Sequence, residues 1–532
     1  MYRHKTVWNS ATTSVMLGAV IAIVGCSADW PAFRHNVLRT GAQLNNGPLT
    51  DPLKVQTLHP VWTFPSAPVI PAPGPFRAGP VVYKGVAYIG NSNGRFYAID
   101  ANTGALKWQY PAPPSPALTS TFTCNPSSEG IASSAAIANI GGRDAVIFGA
   151  PDQSIGAHLG SGRLFALDPA TGAEIWKSPE VAVLLGDGVT HEQIGYSSPL
   201  VFNDHVYIGV ADHCDNPIQR GKIVAVKLAD GTIDGGFTFL AAGNPRGGGV
   251  WGSPAGWDDV YTNTGNANIG GPEPVPNHAL SLLRLNKDTG SIVWKWQPVP
   301  YNLDGDPDWS ATPTIVLGSC GTLAVSVQKD GWTWAVNAGD GTAGKPSVKW
   351  AFPPGPWTNA GFQQNDGTLH GDTRYLRPGA AWNDVFIVQT GGYNVATDVS
   401  DGFRHLYALN ACAGEQDRVR WIKDVPGMTY QSFGYTLGPP TVTHGVVFVG
   451  TDIGHLVAIA DPSIYPAAGW RCNHTDVPSN LCAANGFSLV PDPVVLLDLD
   501  LHAGAITNEA ALVGDPIYVA TNGGKVIRLD TN

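Results

Sequence analysis

Short runs of alternating apolar and polar residues recur along the chain, separated by Gly-rich turns. Residues 79–110 read GPVVYKGVAYIGNSNGRFYAIDANTGALKWQY. Within them, VAYIG and FYAID alternate as half-buried strands do. The pattern Asp-x-x-Thr-Gly then supplies a turn in which Gly takes a positive φ, and a Trp-bearing strand follows it. The unit therefore predicts a sheet of four antiparallel strands.

This unit occurs eight times. The copies occupy residues 79–110, 133–176, 197–239, 252–296, 311–350, 378–422, 438–461 and 505–530. One four-stranded sheet cannot bury both of its faces, so the copies must stack, and radial stacking produces a propeller. We predict an all-β fold, an eight-bladed β-propeller of four-stranded antiparallel blades.

The two ends of the chain predict how the ring closes. The last copy, 505–530, lacks a fourth strand, whereas VWTFP at residues 61–65 is a fourth strand with no copy before it. We therefore expect the N-terminal strand to complete the last blade, and residues 27–532 to form a single propeller domain.

The first 26 residues predict an export signal. MYRHKTVWNS carries positive charge and precedes VMLGAVIAIVG, an apolar run shorter than a membrane span. The following IVGCSADW resembles the bacterial lipobox, and this resemblance implies that Cys26 is lipidated and anchors the chain. Ser27 after it implies the outer membrane, with the protein facing the periplasm. The alternative is a secreted protein that happens to have a Cys near its cleavage site.

The composition limits the class of partner and the kinds of cysteine site that can be expected. A net charge of -11 offers no basic surface and argues against a nucleic-acid partner. None of the seven cysteines forms a CxxC or CxxCH motif, so neither a zinc ribbon nor a c-type haem is indicated. Export permits disulfides, and Cys472 and Cys482, which bracket RCNHTDVPSNLC, are the expected pair. The pairing of four others stays open: Cys124, Cys214, Cys320 and Cys412.

Candidate chemistry concentrates between residues 247 and 329. This span holds Trp251 in a Gly-rich setting, Asn266 after a Thr-Gly turn, Asp306 and Asp308 one residue apart, and Lys329. An aromatic ring that can stack, oxygen ligands for a metal and a positive charge together suit a flat, anionic ligand that chelates a metal. Each residue also has an ordinary interpretation: a core Trp, a turn Asn, an acidic or calcium-binding loop, and a hairpin Lys.

The repeats resemble the quinoprotein dehydrogenase propellers, whose blades carry the signature AxDxxTGxxxW. FYAIDANTGALKW and LFALDPATGAEIW match it closely, and DWPAFRHNVLRTG is similar to the N-terminal segment of that superfamily. GVWGSPAGWDDVYTNTGN, DGDPDWSATP and VQKDG occur in the order found in polyvinyl-alcohol and alcohol dehydrogenases that use pyrroloquinoline quinone (PQQ). The resemblance implies an enzyme that oxidises an alcohol or polyol and passes electrons to a separate acceptor.

The resemblance also implies a role for each residue. Trp251 would stack on the quinone, Lys329 would lie near the quinone oxygens, and Asp306 would be the general base. Asn266, Asp306 and Asp308 would bind the metal, which would be Ca²⁺ or a lanthanide.

The sequence departs from the family pattern at three places. The family's metal-ligating Glu would fall in IGVADHCDNPIQRGKI, which contains no Glu, so Asp212 or Asp215 must replace it. The family's adjacent Cys pair is reduced to Cys124, and Glu129 with the following Gly stands where an Arg is usual. These losses favour a competing hypothesis, a non-catalytic propeller lipoprotein that serves as a protein-interaction scaffold in envelope assembly.

Overall fold

The computed structural model describes most of the chain after the predicted export signal. The described residues are 29–44, 47–121, 128–152, 161–183, 192–194, 196–211, 220–241, 247–266, 278–298, 308–309, 311–329, 332–340, 344–352, 377–389, 393–394, 399–400, 405–426, 437–472 and 488–532. Cys26, Cys124, Cys214 and Cys482 lie outside them, so lipidation and the pairing of Cys472 with Cys482 stay predictions.

Eight four-stranded antiparallel sheets follow one another around a central axis, as predicted, and we number them as blades 1 to 8. Blade 1 comprises Val81–Tyr83, Val86–Gly90, Phe96–Asp100 and Leu106–Tyr110. Blade 2 comprises Ala136–Ile140, Arg143–Asp152, Ser161–Leu167 and Glu174–Lys177. Blade 3 comprises Leu200–Phe202, His205–Val210, Lys222–Lys227 and Phe239–Leu240. Blade 4 comprises Ala255–Gly256, Val260–Asn263, Leu282–Leu285 and Ile292–Trp296.

The second half of the ring follows the same plan. Blade 5 comprises Thr314–Gly318, Gly321–Val327, Thr333–Asn337 and Val348–Phe352. Blade 6 comprises Ala380–Trp382, Val385–Gln389, His405–Asn410 and Val419–Asp424. Blade 7 comprises Thr441–Thr443, Val446–Gly450, His455–Ala460 and Val495–Asp500. Blade 8 comprises Ala511–Leu512, Ile517–Ala520, Val526–Asp530 and the N-terminal His59–Phe64.

The remaining elements are short. Three two-stranded ribbons pair Ser120–Thr121 with Ser128–Glu129, Tyr393–Asn394 with Val399–Ser400, and Gly469–Cys472 with Leu489–Asp492. The last ribbon is an insertion within blade 7, which explains why the sequence repeat there ended before its fourth strand. Pro48–Thr50 is a 3₁₀ helix and Pro52–Val55 a single α-turn. Among the described residues, no helix has the length and apolar character needed to cross a membrane.

The N-terminal strand closes the ring, which confirms the expected topology. His59–Phe64 pairs antiparallel with Val526–Asp530, with Phe64 opposite Val526. The indole of Trp62, on this strand, donates to the carbonyl of Ala101 in blade 1 at 3.1 Å. Blade 8 is therefore joined both to the N-terminal strand and to its neighbour.

A Trp of the fourth strand connects most blades to the next, as the repeat predicted. Trp108 Nε1 donates to the carbonyl of Pro169 at 3.1 Å, and Trp176 Nε1 to the carbonyl of Leu228 at 3.0 Å. The ring of Trp108 lies flat on Gly172, where an added Cβ would come within 2.8 Å of it and φ is +72°. Gly is therefore required there both by the backbone conformation and by the close approach of the indole.

The core lies between adjacent sheets. Between blades 1 and 2, the rings of Phe96 and Phe148 stack at 4.0 Å, and Phe148 stacks on Phe165 at 5.5 Å. A disulfide joins Cys320, in the first turn of blade 5, to Cys412, after the third strand of blade 6, with a Cα–Cα distance of 5.4 Å. This pairing was left open by the sequence and connects neighbouring blades.

Residues 29–44, here called the axial segment, contact every blade of the ring. Backbone or side-chain hydrogen bonds join it to Val82, Ile137, Pro199, Gly256, Ile315, Ala381, Val442 and Glu509, which belong to blades 1 to 8 in that order. Each contact is made at or beside the innermost strand of its blade. The axial segment therefore lies across the centre of the ring and ties all eight blades together.

Two fully buried side chains fix the axial segment. Arg34 donates to Glu509 Oε2 at 3.2 Å and to the carbonyls of Gly379 and Pro440, each at 2.7 Å. The backbone N–H of Arg34 also donates to Glu509 Oε1 at 2.8 Å. Burial lowers the pKa of Arg34 and raises the pKa of Glu509, and in each case the partner's charge opposes the shift. Each member of the pair has the charge of the other and hydrogen bonds to compensate for its burial.

Candidate active site

An axial cavity opens at the start of the innermost strands. It is lined by the residue two positions before the first strand of each blade, which gives a ring of Gly79, Ser134, Ser198, Ser253, Thr312, Pro378, Pro439 and Glu509. Arg77, Tyr196, Trp251 and Arg377 also line it, and Phe33 of the axial segment contributes to its wall. Trp251 precedes the ring residue Ser253, whereas the axial segment bonds to Gly256 after it. Trp251 and the axial segment therefore meet blade 4 before and after Ser253, and the axial segment reaches the cavity through Phe33.

Hydroxyl groups join five of the ring residues. The backbone N–H of each donates to the side-chain oxygen of the next: Gly79 to Ser134 at 2.8 Å, Ser134 to Ser198 at 3.0 Å, Ser198 to Ser253 at 2.8 Å, and Ser253 to Thr312 at 3.0 Å. This ladder holds the cavity wall of blades 1 to 5 rigid. Sequence reasoning missed it, although Ser-Pro or Thr-Pro before the innermost strand in blades 3, 4 and 5 was a signal for it.

The Gly-rich loop before blade 4 fixes Trp251. Val250 N–H donates to the carbonyl of Val210 at 3.1 Å, and Gly221 N–H donates to the carbonyl of Gly247 at the same distance. A Cβ at Gly221 would lie 1.7 Å from the carbonyl oxygen of Gly248. The loop can therefore pack this closely on blade 3 only because Gly221 has no side chain. The backbone on the N-terminal side of Trp251 is thereby held against blade 3.

Asn266 lies on a neighbouring loop that is bonded to the Trp251 loop. Gly248 N–H donates to the carbonyl of Asn266 at 2.7 Å, and Gly265 N–H donates to the carbonyl of Gly249 at 2.8 Å. A Cβ at Gly265 would lie 3.3 Å from Asp308 Oδ2 and 3.4 Å from Trp251 Nε1. The backbone beside Asn266 therefore comes within van der Waals distance of both predicted site residues.

Asp308 and Lys329 form a buried ion pair in blade 5. Lys329 N–H donates to the carbonyl of Asp308 at 3.0 Å, and Lys329 Nζ lies 3.1 Å from Asp308 Oδ1. The exposed fractions of the two side chains are 6% and 5%. Lys329 Nζ also lies 5.4 Å from the ring centroid of Trp251, within range of a cation–π interaction. Trp251, Asp308 and Lys329 are thus brought together, and their roles at a cofactor site stay predictions.

An aromatic wall lies behind Lys329. Trp334 Nε1 donates to Gln328 Oε1 at 3.0 Å, and its ring packs against Trp296 and Trp332 at 5.3 and 5.9 Å. Trp309, the neighbour of Asp308, is 1% exposed and faces Gln328 across a short antiparallel bridge. These rings fix the backbone from which both members of the ion pair project.

The other predicted metal ligands cannot be placed. Asp212, Asp215 and Asp306 lie outside the described residues, so the general base and part of the ligand set stay predictions. Within the described part of the chain, no group of three or more His, Cys, Asp or Glu residues forms a metal site. The donors that the structure does place near one another are the Asp308 carboxylate and the loop carrying Asn266.

Comparison with known proteins identifies the family. Residues 49–346 match the model of the PQQ family, described as glucose/ethanol/alcohol dehydrogenase, β-propeller domain. This match covers more than half of the 532 residues, so the protein belongs to that family of PQQ-dependent dehydrogenase propellers. The resemblance drawn from the repeats is confirmed.

Individual relatives are alcohol dehydrogenases. The chain is 28% identical over 289 residues to the quinoprotein alcohol dehydrogenase PedH of Pseudomonas putida, covering 47% of this chain and 43% of the relative. It is 24% identical over 519 residues to the dehydrogenase subunit of the alcohol dehydrogenase (quinone) of Gluconacetobacter polyoxogenes, covering 85% and 65%. The chain spans about half the length of the curated relatives it matches.

Solved structures share the fold. The quinohemoprotein alcohol dehydrogenase of Comamonas testosteroni has a TM-score of 0.63 at 17% identity, covering 94% of this chain and 80% of that chain. A europium-containing methanol dehydrogenase has a TM-score of 0.61 at 15% identity, covering 95% and 98%. Because the family model and the curated relatives are those of dehydrogenases, the scaffold alternative is not favoured.

Proposed function

We propose that this protein is a PQQ-type dehydrogenase that oxidises an alcohol or polyol in the axial cavity, with a metal ion beside the quinone. The observation that carries the proposal is the convergence of Trp251, Asp308 and Lys329. A flat ring, a cation 5.4 Å above it and a carboxylate 3.1 Å from that cation suit a flat anionic ligand that chelates a metal. The backbone of Gly265 leaves room beside the indole and the carboxylate that a side chain would fill.

The chain offers a residue for each part of such a ligand. Trp251 would hold the face of the ring, and Lys329 would donate to its quinone oxygens. Oxygen ligands for a hard cation, Ca²⁺ or a lanthanide, would come from Asn266, Asp306, Asp308 and either Asp212 or Asp215. Asp308 would balance the positive charge of Lys329 as well as that of the metal.

The reaction needs one proton acceptor from the protein. PQQ, when bound with its metal, supplies the acceptor for the hydride of the alcohol carbon. Asp306 takes the proton of the alcohol hydroxyl as general base. The electrons would then pass to a separate acceptor.

We further propose that the protein is exported and anchored through a lipid on Cys26, on the outer membrane facing the periplasm. The charged N-terminus, the short apolar run and the IVGC junction support this location. The Cys320–Cys412 disulfide is compatible with an oxidising compartment. In a bacterial host, radiolabelled fatty acid should label the wild type and not the Cys26→Ser variant, and an unlabelled wild type would overturn the anchor.

The activity can be tested on purified protein reconstituted with PQQ and either Ca²⁺ or La³⁺. Dye-linked oxidation of ethanol, 1-butanol, glycerol and sorbitol should be measured with bound PQQ and bound metal. We expect Asp306→Asn to retain both ligands and lose about 10²–10⁴-fold in turnover, because a positioned general base contributes that much. Asp304→Asn, in the same acidic loop, is the matched control and should retain turnover.

Two further variants separate the roles of the remaining residues. Trp251→Ala should lose PQQ binding, and Asp308→Ala should lose metal, most strongly the trivalent ion, because a hard cation of higher charge depends more on anionic oxygen. A wild type that binds neither PQQ nor metal would overturn the proposed function.

A further inference from the structure

Arg77 lies in the cavity wall at a position that the sequence analysis did not single out. It precedes the innermost strand of blade 1 and lines the cavity together with Tyr196 and Trp251. Its Nε lies 3.1 Å from Glu129 Oε1, and its Nη1 donates to the hydroxyl oxygen of Tyr196 at 3.4 Å. Glu129 is the acidic residue that stands where the family usually has an Arg.

The backbone on both sides of this ion pair is fixed. Phe76, next to Arg77, donates its N–H to the carbonyl of Thr521 at 3.1 Å and accepts from the Asn508 amide at 2.7 Å. Gly130, next to Glu129, packs so closely on blade 1 that an added Cβ would lie 2.3 Å from the backbone nitrogen of Gly94. The two charged side chains therefore project from rigid positions in neighbouring parts of the ring.

The two members of the pair differ in exposure. The side chain of Arg77 is 26% exposed, whereas that of Glu129 is 7% exposed. Burial raises the pKa of the Glu129 carboxyl, and the charge of Arg77 opposes this rise. The carboxylate thus lies behind the guanidinium, and the group that reaches the cavity is the cation. A guanidinium presents a planar set of donors that matches a carboxylate in geometry.

We propose that Arg77, positioned by Glu129 and Tyr196, is an anion-binding residue of the axial cavity and binds a carboxylate of PQQ. The inference rests on the proposed function and names a contact that the family pattern does not supply in this chain. The acidic residue at 129 then does not repel an anionic cofactor, because its charge is held behind Arg77. Glu129 and Tyr196 are positioning residues for the guanidinium.

The test compares PQQ with its trimethyl ester, which has the same ring system and no carboxylate charge. Binding of each is measured by quenching of Trp fluorescence, in the presence of Ca²⁺. We expect Arg77→Gln to weaken PQQ binding about 10- to 100-fold, the range for a lost hydrogen bond to a charged group, with the ester affinity unchanged. Arg77→Lys keeps the positive charge without the planar set of N–H donors, and it should weaken PQQ binding less than Arg77→Gln does. Arg143→Gln, which removes an exposed Arg paired with Asp168, is the matched control.

The possible outcomes separate the two proposals. If the wild type binds PQQ and Arg77→Gln binds it equally well, the ion pair is structural and this inference is wrong while the proposed function stands. If the wild type binds neither PQQ nor the ester, the proposed function itself fails. If Arg77→Gln is not folded by circular dichroism, Arg77→Lys decides, because an unchanged preference for PQQ over the ester in a folded Lys variant contradicts a bidentate contact.

Discussion

Two buried ion pairs in the ring differ in what surrounds them. Arg34 and Glu509 are both fully buried, and the guanidinium also donates to the carbonyls of Gly379 and Pro440 in blades 6 and 7. Lys329 and Asp308 belong to one blade, and the ammonium lies over the ring of Trp251, which itself lines the cavity. The first pair connects blades, with Glu509 also at the cavity wall, whereas the second pair lies beside the Trp251 ring to which the proposed function assigns the ligand.

The difference shows that burial of a charge pair does not by itself indicate its role. Removing one partner of a buried pair is costly in either place, because the other charge is left without compensation. Replacing both partners by apolar residues distinguishes a pair that connects blades from a pair that serves a ligand. At the axial segment, such a replacement also removes the donors to backbone carbonyls. At the cavity, it removes charges that the proposed function requires for the ligand.

The largest effect is expected at the axial segment. Glu509→Gln leaves the Arg34 guanidinium buried without a carboxylate and should lower the free energy of unfolding by about 3–5 kcal/mol. The double variant R34M/E509L should remain less stable than the wild type, because the carbonyls of Gly379 and Pro440 lose their donor. Urea denaturation measures both, with the exposed Glu415→Gln as control. A free energy of unfolding in the double variant equal to that of the wild type would show that the pair does not stabilise the contacts between blades.

The disulfide between blades 5 and 6 should have the next largest effect. The C320S/C412S double variant removes a cross-link between residues 92 positions apart and should lower the free energy of unfolding by about 2–4 kcal/mol. Urea denaturation of the non-reduced protein measures it. Dithiothreitol should destabilise the wild type by a similar amount through this cross-link, and a double variant as stable as the wild type would contradict this contribution.

A smaller effect on stability is expected at the cavity pair. The double variant D308L/K329M should keep the free energy of unfolding within about 1 kcal/mol of the wild type or raise it, since apolar replacement of a buried pair is often neutral or stabilising. The same variant should lose PQQ binding. Lys329→Met alone is the control and should be less stable than the double variant. Retention of PQQ binding by the double variant would contradict the role given to Lys329.

The smallest effect concerns His35 in the axial segment. Its ring is half-buried, 4.9 Å from that of Trp30, and burial lowers the pKa of His35 from 6.5 to about 4. Between these two pH values the unfolded chain binds a proton at this residue that the folded protein does not, so stability falls as the pH falls through this window. His35→Asn should flatten the dependence, and Asn tolerates the φ of 73° at this position.

The control for this effect is His502→Asn. His502 is exposed and also has a positive φ, of 49°, so it reproduces the backbone change without the burial. Urea denaturation at several pH values between 4.5 and 6.5 measures the slope. An identical slope in the wild type and the His35→Asn variant would show that His35 does not contribute to it.

The sequence predicted the fold well because the propeller depends on local patterns. Alternation within a strand and an Asp-x-x-Thr-Gly turn are visible in one repeat, and ring closure followed from the missing strand in 505–530 and the extra strand at 61–65. Trp251 and Lys329 could be found because they stand in motifs. The structure places Lys329 Nζ 5.4 Å from the Trp251 ring centroid, and the roles of both residues stay predictions.

The remaining features depend on contacts between distant residues. Arg34 and Glu509 are 475 positions apart, and neither stands in a pattern that marks it as buried. Glu129 could not be paired with Arg77 from the sequence, because Arg77 lies before blade 1 and Glu129 lies between blades 1 and 2. Cys320 and Cys412 could not be paired because neighbouring blades are joined through loops whose spacing does not specify which turns meet.

The strand pairing in blade 8 sets the order of events when the protein is made. His59–Phe64 is synthesised before blades 1 to 7, and its partner Val526–Asp530 is synthesised after them. Blades 1 to 7 contain all four of their own strands and can form as the chain emerges, but the ring cannot close before Val526–Asp530 is available. A chain interrupted before Val526 would leave His59–Phe64 without its partner strand, and an unpaired strand of this kind can pair with another chain.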